Sequence, residues 1–242
     1  MRNRHCVPIL LALVAAVTPA FAVDAVANWP QFRGPDARGV ADNAGLPEQW
    51  SATENVAWKT GIPGRGWSSP IVWGNRVFVT TAVAQGDAAA PKKGLYFGGE
   101  QKEVAPTAWQ WKVFCLDLES GAVLWERQVH EGIPAHPIHI KNSYASETPV
   151  TDGERVYAYF GNIGIWCFDM DGNPVWNKPI APHRTRVEWG TASSPVLHEE
   201  RLYIVNDNEE ESYLLALDKR TGNDVWKIAR DEKSNCSTPY VW

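Results

Sequence analysis

Three shortages narrow this 242-residue sequence before any motif is sought. Past the first two dozen residues no apolar run is long enough to cross a membrane as a helix, which takes about 20 residues. Basic charge is short as well: Lys and Arg number 23 against 28 Asp and Glu, a formal charge of −5, with no basic stripe or polybasic run. That balance argues against a nucleic-acid partner and against an anionic lipid surface. Cysteine is scarce, four residues in all, with no two adjacent and no pair at a metal-type spacing. Beyond the leader no segment carries a 3.6-residue apolar period, so helices are not expected.

The first stretch reads as a leader. Arg2 and Arg4 precede an apolar segment over residues 7–17, and Ala20-Phe21-Ala22 offers a small-x-small cleavage site. This pattern predicts a secretory signal cut after Ala22 and an exported protein, periplasmic or extracellular, with no membrane span after cleavage. Losing Arg2 and Arg4 takes the formal charge to −7. Cys115, Cys167 and Cys236 remain. The first two stand two residues before an Asp in equivalent positions, where a third copy has Ala216, so a small buried side chain explains them.

What is abundant is repetition. A Ser/Thr-Pro start, an Arg followed by alternating apolar residues, an Asp, a Gly, and a Trp four residues past the Gly occur three times, over 70–125, 149–176 and 195–226. A fourth copy begins at Ser237-Thr238-Pro239. Each copy resolves into four β-branched, aromatic, alternating runs separated by polar or Gly-containing turns. In the first copy these are SSPIVW, RVFVTTA, WKVFCLD and AVLWERQ. The signature turn holds Asp117, Gly121 and Trp125 in copy one, Asp169, Gly172 and Trp176 in copy two, and Asp218, Gly222 and Trp226 in copy three. The Asp can accept turn N–H groups, the Gly supplies positive φ, and the Trp can pack between neighbouring sheets. Four-stranded units repeated at this length predict an all-β protein, a β-propeller of antiparallel blades.

The organisation expected is a leader at 1–22, an N-terminal extension at 23–54 and a partial propeller at 55–242. Within the propeller, 55–60 is an orphan closing strand and blades occupy about 67–129, 145–180 and 192–230. A next blade starts at 236–242, making the chain an N-terminal fragment of a seven- or eight-bladed ring. An insertion over roughly 82–111 and an irregular link over 130–144 break the period.

The turns CLDLESGAVLW and ALDKRTGNDVW resemble the tryptophan-docking motif of the PQQ-type propeller repeat. That repeat occurs in quinoprotein alcohol dehydrogenases and in the non-catalytic propeller component of the outer-membrane barrel-assembly machinery. The segments NWPQFRGPDARGV, NSYASETPVTDGERVYAYFG and EKSNCSTPYVW are similar to exported PQQ-binding-like propeller proteins of bacteria. The resemblance implies a propeller, and it implies either a scaffold or an enzyme, because one fold hosts both. A quinoprotein dehydrogenase would need a quinone floor, a calcium ion held by oxygens and a carboxylate base. The family's enzymes also cover the quinone with adjacent cysteines, which this chain lacks, and no catalytic or metal-ligating residue can be matched.

The functional expectation is therefore a non-catalytic binding or assembly scaffold whose loop face holds a protein, polysaccharide or small ligand. The competing expectation is a PQQ- and calcium-dependent dehydrogenase acting on an alcohol or sugar. Trp67 and Trp189, each shortly before a Ser-Ser-Pro start, form a candidate channel-mouth surface with Tyr144, Arg186 and Glu188. His130, His136 and His139 cluster loosely on a Pro-rich link and read as solvated. The acidic run over 206–211 lacks calcium-loop spacing and reads as a solvated hairpin tip.

Overall fold

The computed structural model describes residues 28–41, 47–88, 104 and 106–242. The proposed leader, its Ala22 cleavage site and most of the inserted segment lie outside the described residues.

Twelve strands form three separate four-stranded antiparallel sheets, each in simple up-and-down order. The first comprises β1 (Ile71–Trp73), β2 (Arg76–Ala84), β3 (Trp109–Asp117) and β4 (Val123–Gly132). The second comprises β5 (Val150–Thr151), β6 (Arg155–Phe160), β7 (Gly164–Asp169) and β8 (Pro174–Pro179). The third comprises β9 (Val196–His198), β10 (Arg201–Asn206), β11 (Tyr213–Asp218) and β12 (Asp224–Ala229). These are the blades of a β-propeller, and among the described residues helix is limited to two short 3₁₀ turns.

Alternation decides what each blade buries. In β2, Phe78 faces the second blade in a core shared with Trp111, Val113, Val156, Ala158 and Phe168. Its neighbour Val77 faces the opposite way, onto Phe114, Leu116 and Trp58. The second and third blades repeat the arrangement through Tyr157, Ile165, Leu202, Ile204 and Leu215. A one-residue slip would exchange these faces, so the apolar pattern fixes register. Cys115 and Cys167 are buried and unbridged in this packing, and burial pushes both thiols up to about 12.

Trp125 and Trp176 each dock one blade ahead of their own. The Trp125 indole covers Gly172 and donates Nε1–H to the Met170 carbonyl at 3.0 Å. Trp176 covers Gly222 and donates to Lys219 at 3.0 Å. The Asp of each turn closes it: Asp117 Oδ1 accepts the Ser120 N–H at 2.8 Å, and Asp218 Oδ1 accepts the Thr221 N–H at 2.9 Å. Those bonds hold both carboxyls below their usual range.

The Ser/Thr before each Pro also has a task. The Ser69 N–H donates to Thr148 Oγ1 at 3.0 Å, Thr148 N–H to Ser194 Oγ at 2.9 Å, and Ser194 N–H to Thr238 Oγ1 at 3.1 Å. Proline has no N–H, so the hydroxyl one residue earlier links successive inner strands.

Residues 55–60, expected as an orphan closing strand, pair with no strand among the described residues. Trp58 nevertheless covers Gly121 and donates to the Leu118 carbonyl at 2.7 Å, the same docking as Trp125 and Trp176. The insertion also begins later and ends earlier than its polarity suggests. β2 and β3 stay paired out to Ala84 and Trp109, because Trp109 and Trp111 are buried against the first core and hold the extended hairpin together.

Candidate functional site

Antiparallel blades send their connections alternately to two faces. The β1–β2 and β3–β4 turns and their equivalents share one face with the docking Asp-Gly turns. The β2–β3, β6–β7 and β10–β11 connections share the opposite, connector face with the links between blades. Trp67, Trp189 and Cys236 all lie in or beside those inter-blade links.

The N-terminal segment joins the two faces. Trp29 exchanges both backbone hydrogen bonds with Val72, at 2.8 and 2.9 Å, on the edge of β1 that β2 does not use. The Thr151 N–H of β5 donates to the Pro30 carbonyl at 2.9 Å, and Gly74 N–H donates to Asn28 Oδ1 at 2.8 Å. The chain therefore runs along the inner strands from the turn face to the connector face. Gly34 turns it there, with φ 70° and the Trp29 ring against its Cα, where a Cβ would fall 2.5 Å from the ring. This places Phe32 and Arg33 at the mouth.

Trp67 and Trp189 are 52% and 50% exposed. One link holds both. Trp67 Nε1–H donates to the Lys141 carbonyl at 2.7 Å, and Asn142 Nδ2 donates to the Trp189 carbonyl at 2.7 Å. The His139 ring meets Trp189 edge-on at 5.9 Å. A cleft of about 570 Å³ opens beside Trp67, with Phe32, Arg33, Asn142, Ser146 and Tyr240 among its walls. A shallower one of about 390 Å³ adjoins it beside Trp189, sharing Asn142, Ala192 and Cys236.

The other three residues expected at this surface make contacts of their own. Tyr144 packs edge-on against Trp109 and Trp111 at 5.1 and 6.0 Å and donates its hydroxyl to the His136 carbonyl. Arg186 and Glu188 lie on a kinked turn, with Val187 and Glu188 both at φ 54°. Glu188 Oε1 pairs with Arg184 at 2.8 Å, and the Arg186 N–H donates to Ser234. The three histidines likewise make separate contacts: His130 with the Trp111 ring, His139 with Trp189, and His136 through its backbone to Tyr144. Among the described residues no group of three metal-type ligands forms.

The run over 206–211 is not a solvated tip throughout. Asn206, Asp207 and Asn208 are buried. Asn208 Oδ1 accepts the N–H groups of Glu210 and Glu211 at 2.8 and 2.6 Å. Asn206 Nδ2 donates to the Tyr213 hydroxyl at 3.2 Å. Only the three glutamates that follow reach water, because Asn208 is satisfied within the turn, Asn206 reaches Tyr159 and Tyr213, and Asp207 pairs with Arg230.

Sequence reasoning missed Glu147, 1% exposed. Its Oε1 accepts the Gly161 N–H at 3.1 Å, tying the link before β5 to the β6–β7 turn. Burial pushes its carboxyl up, against smaller opposing contributions from the Thr191 hydroxyl and backbone N–H groups. A raised carboxyl favours the folded state while neutral. Its contribution is complete below the ordinary carboxylate range and declines as pH rises toward the folded value. Glu147→Gln should remove that decline. Denaturant melts from pH 4 to 9 should show the variant gaining on the wild type as pH rises; a constant difference would refute this.

The PQQ-type repeat model described as outer membrane protein assembly factor BamB matches residues 84–228. The chain belongs to that family. Among solved structures, a europium-containing methanol dehydrogenase is similar at 16% identity over 84% of this chain and 32% of its own, with a TM-score of 0.52. BamB from Moraxella catarrhalis is 19% identical over 50% of this chain and 32% of its own, with a TM-score of 0.33. Quinohemoprotein alcohol dehydrogenase from Comamonas testosteroni is 16% identical over 85% of this chain and 27% of its own, at 0.49. At such identity the likeness bears on the fold alone. The chain spans about a third or less of the length of these three solved chains. No curated protein matches it. Among the described residues no helix is long and apolar enough to cross a membrane.

The matched range takes in Asn142 and Trp189, while Arg33 and Trp67 lie before it.

Proposed function

We propose that this is an exported, non-catalytic scaffold that binds another protein on its connector face. The observation that carries the reading is the pair Trp67 and Trp189. Both indoles are half exposed, and both are tied to the same short link at 141–142. Large aromatic side chains fixed in advance lose little entropy on binding and bury much apolar area, which is how interface anchors work. The family model's description as an outer membrane protein assembly factor supports a protein partner, and we take it to be one of the cell envelope. Export rests on the leader pattern at 1–22 and its site after Ala22. In this reading residues 55–60 complete the last blade of a seven- or eight-bladed ring.

The dehydrogenase alternative was tested against the cleft beside Trp67. Arg33 and the indole suit a flat anionic ring. Calcium would want six to eight oxygens, carboxylates among them. The described walls of that cleft hold none, and the nearby Glu147 is buried, bonded to Gly161 and favoured as the neutral acid. The cation half of the pairing does not fit these residues.

A photo-crosslinking amino acid at position 67 or 189 of the full-length protein, in its own cells, should yield adducts with one protein species. The same group at Val225, exposed on β12, should not. Silence at both sites with verified incorporation, or identical adducts at 225, would remove the scaffold reading. Dye-linked alcohol oxidation above the apo control after adding PQQ and calcium would replace it with the enzyme.

A further inference from the structure

The charge at the mouth runs against the charge of the molecule. The chain is acidic overall, at −5. Yet the described walls of the larger cleft carry Arg33 and no carboxylate, and those of the adjoining one carry Lys141 and His139 and no carboxylate. Arg33 is exposed, and nothing among the described residues pairs with its guanidinium. Beside it in the same cleft stand the half-exposed face of Trp67 and the ring of Tyr240, and Trp189 lines the adjoining cleft.

Backbone geometry holds Arg33 there. It sits at φ 64°, beside Gly34 at 70°, and its carbonyl accepts the Gly39 N–H at 2.7 Å. A non-glycine residue in the left-handed region is uncommon and costs energy, so the surrounding turn must hold it. The segment leading to it also shows what this channel can accommodate. Residues 29–30 lie extended against the inner edges of β1 and β5, exchanging backbone hydrogen bonds as a bound peptide does.

We propose that the mouth seats an acidic, aromatic- or aliphatic-bearing polypeptide segment of the partner. A partner carboxylate meets the Arg33 guanidinium in the planar two-point geometry that arginine favours. An apolar side chain of the same segment lies against Trp67 and Trp189. The inference rests on the scaffold reading and names the chemistry of its partner. A peptide is favoured over an acidic glycan because the channel already holds extended backbone.

The probe is a capped eight-residue peptide alternating Glu and Phe, titrated against the full-length protein by fluorescence anisotropy. Its Gln/Phe counterpart and oligogalacturonate serve as the other arms. The Glu peptide should bind at least tenfold tighter than the Gln peptide, and more weakly in 0.5 M than in 0.05 M salt, as screening requires. Arg33→Gln should abolish the difference between the two peptides, and Arg33→Lys should restore part of it. Trp67→Ala should weaken both peptides alike. Equal binding of the two peptides, indifference to Arg33→Gln, or tighter binding of oligogalacturonate with the same sensitivity to Arg33 would overturn the proposal. The two readings fail separately. Adducts at 67 and 189 that persist undiminished in an Arg33→Gln background would leave the scaffold standing and remove its acidic partner.

Discussion

Gly172→Ala should destabilise the protein by about 2–5 kcal/mol, combining a left-handed backbone cost of about 1–2 with an overpacking cost of about 1–3. Gly172 has φ 79°, and its added Cβ would fall 2.7 Å from the Trp125 ring. That ring is nearly buried, with Phe78 at 5.8 Å on one side and Phe168 at 6.0 Å on the other, so it has little room to retreat. Trp125→Ala should itself cost about 3–5 kcal/mol, the usual range for a buried Trp. The two changes should not add. Once the indole is gone, the new methyl meets open space, and only the backbone cost of Gly172→Ala remains. A double-mutant cycle by denaturant unfolding should return a coupling of about 1–3 kcal/mol. Additivity within 0.5 kcal/mol would mean that the Trp–Gly contact does not join these blades.

The second large effect is expected at Asp207. Its side chain is 1% exposed and grips Arg230 with two hydrogen bonds, Nε to Oδ1 at 2.8 Å and a terminal nitrogen to Oδ2 at 3.2 Å. The pair ties the start of the β10–β11 connection to the end of β12, and the carboxylate pushes the guanidinium pKa upward. Breaking a buried ion pair costs about 3–5 kcal/mol because the surviving partner is stranded. Arg230 keeps a third of its side chain in water, so Asp207→Ala should fall at the low end, about 3 kcal/mol. Exposed pairs such as Lys227–Glu211 should by contrast contribute under about 1 kcal/mol. A stability within 0.5 kcal/mol of wild type for Asp207→Ala would show that the pair is replaced by water at no cost.

Asp207 also shows why a sequence misleads at such places. Six polar residues in a row read as a solvated tip, and half of them are. The buried half is satisfied by Arg230, Ser212 and two tyrosine hydroxyls, two of which lie more than twenty residues away, and no local pattern announces distant partners. The insertion was misjudged for a related reason. Polarity marked a loop, but Trp109 and Trp111 gain a partner surface only once the second blade stands beside the first.

The mouth was half legible. Trp67 and Trp189 stood out as large aromatics beside inter-blade starts. Their shared support, Asn142, did not, since a single Asn has no pattern. Arg33 lay inside a segment notable only for family likeness, and its place became visible when Trp29 was seen paired with Val72. Tyr144 and Glu188, expected beside the indoles, have partners of their own in Trp109 and Arg184, which no local pattern announces.

The sequence by itself determined the strands, their number per repeat, the faces they bury and the turns that close them. Those features depend on two-residue alternation and on Asp, Gly and Pro acting within a few residues of each other. The tertiary structure alone decided which glycine Trp58, Trp125 and Trp176 cover, which polar residues go inside, and that the N-terminal segment pairs with the inner edge of β1 and sets Arg33 in the cleft beside Trp67. Those are contacts between parts of the chain tens of residues apart. Their energies exist only after the blades have packed, so no local stretch of sequence encodes them.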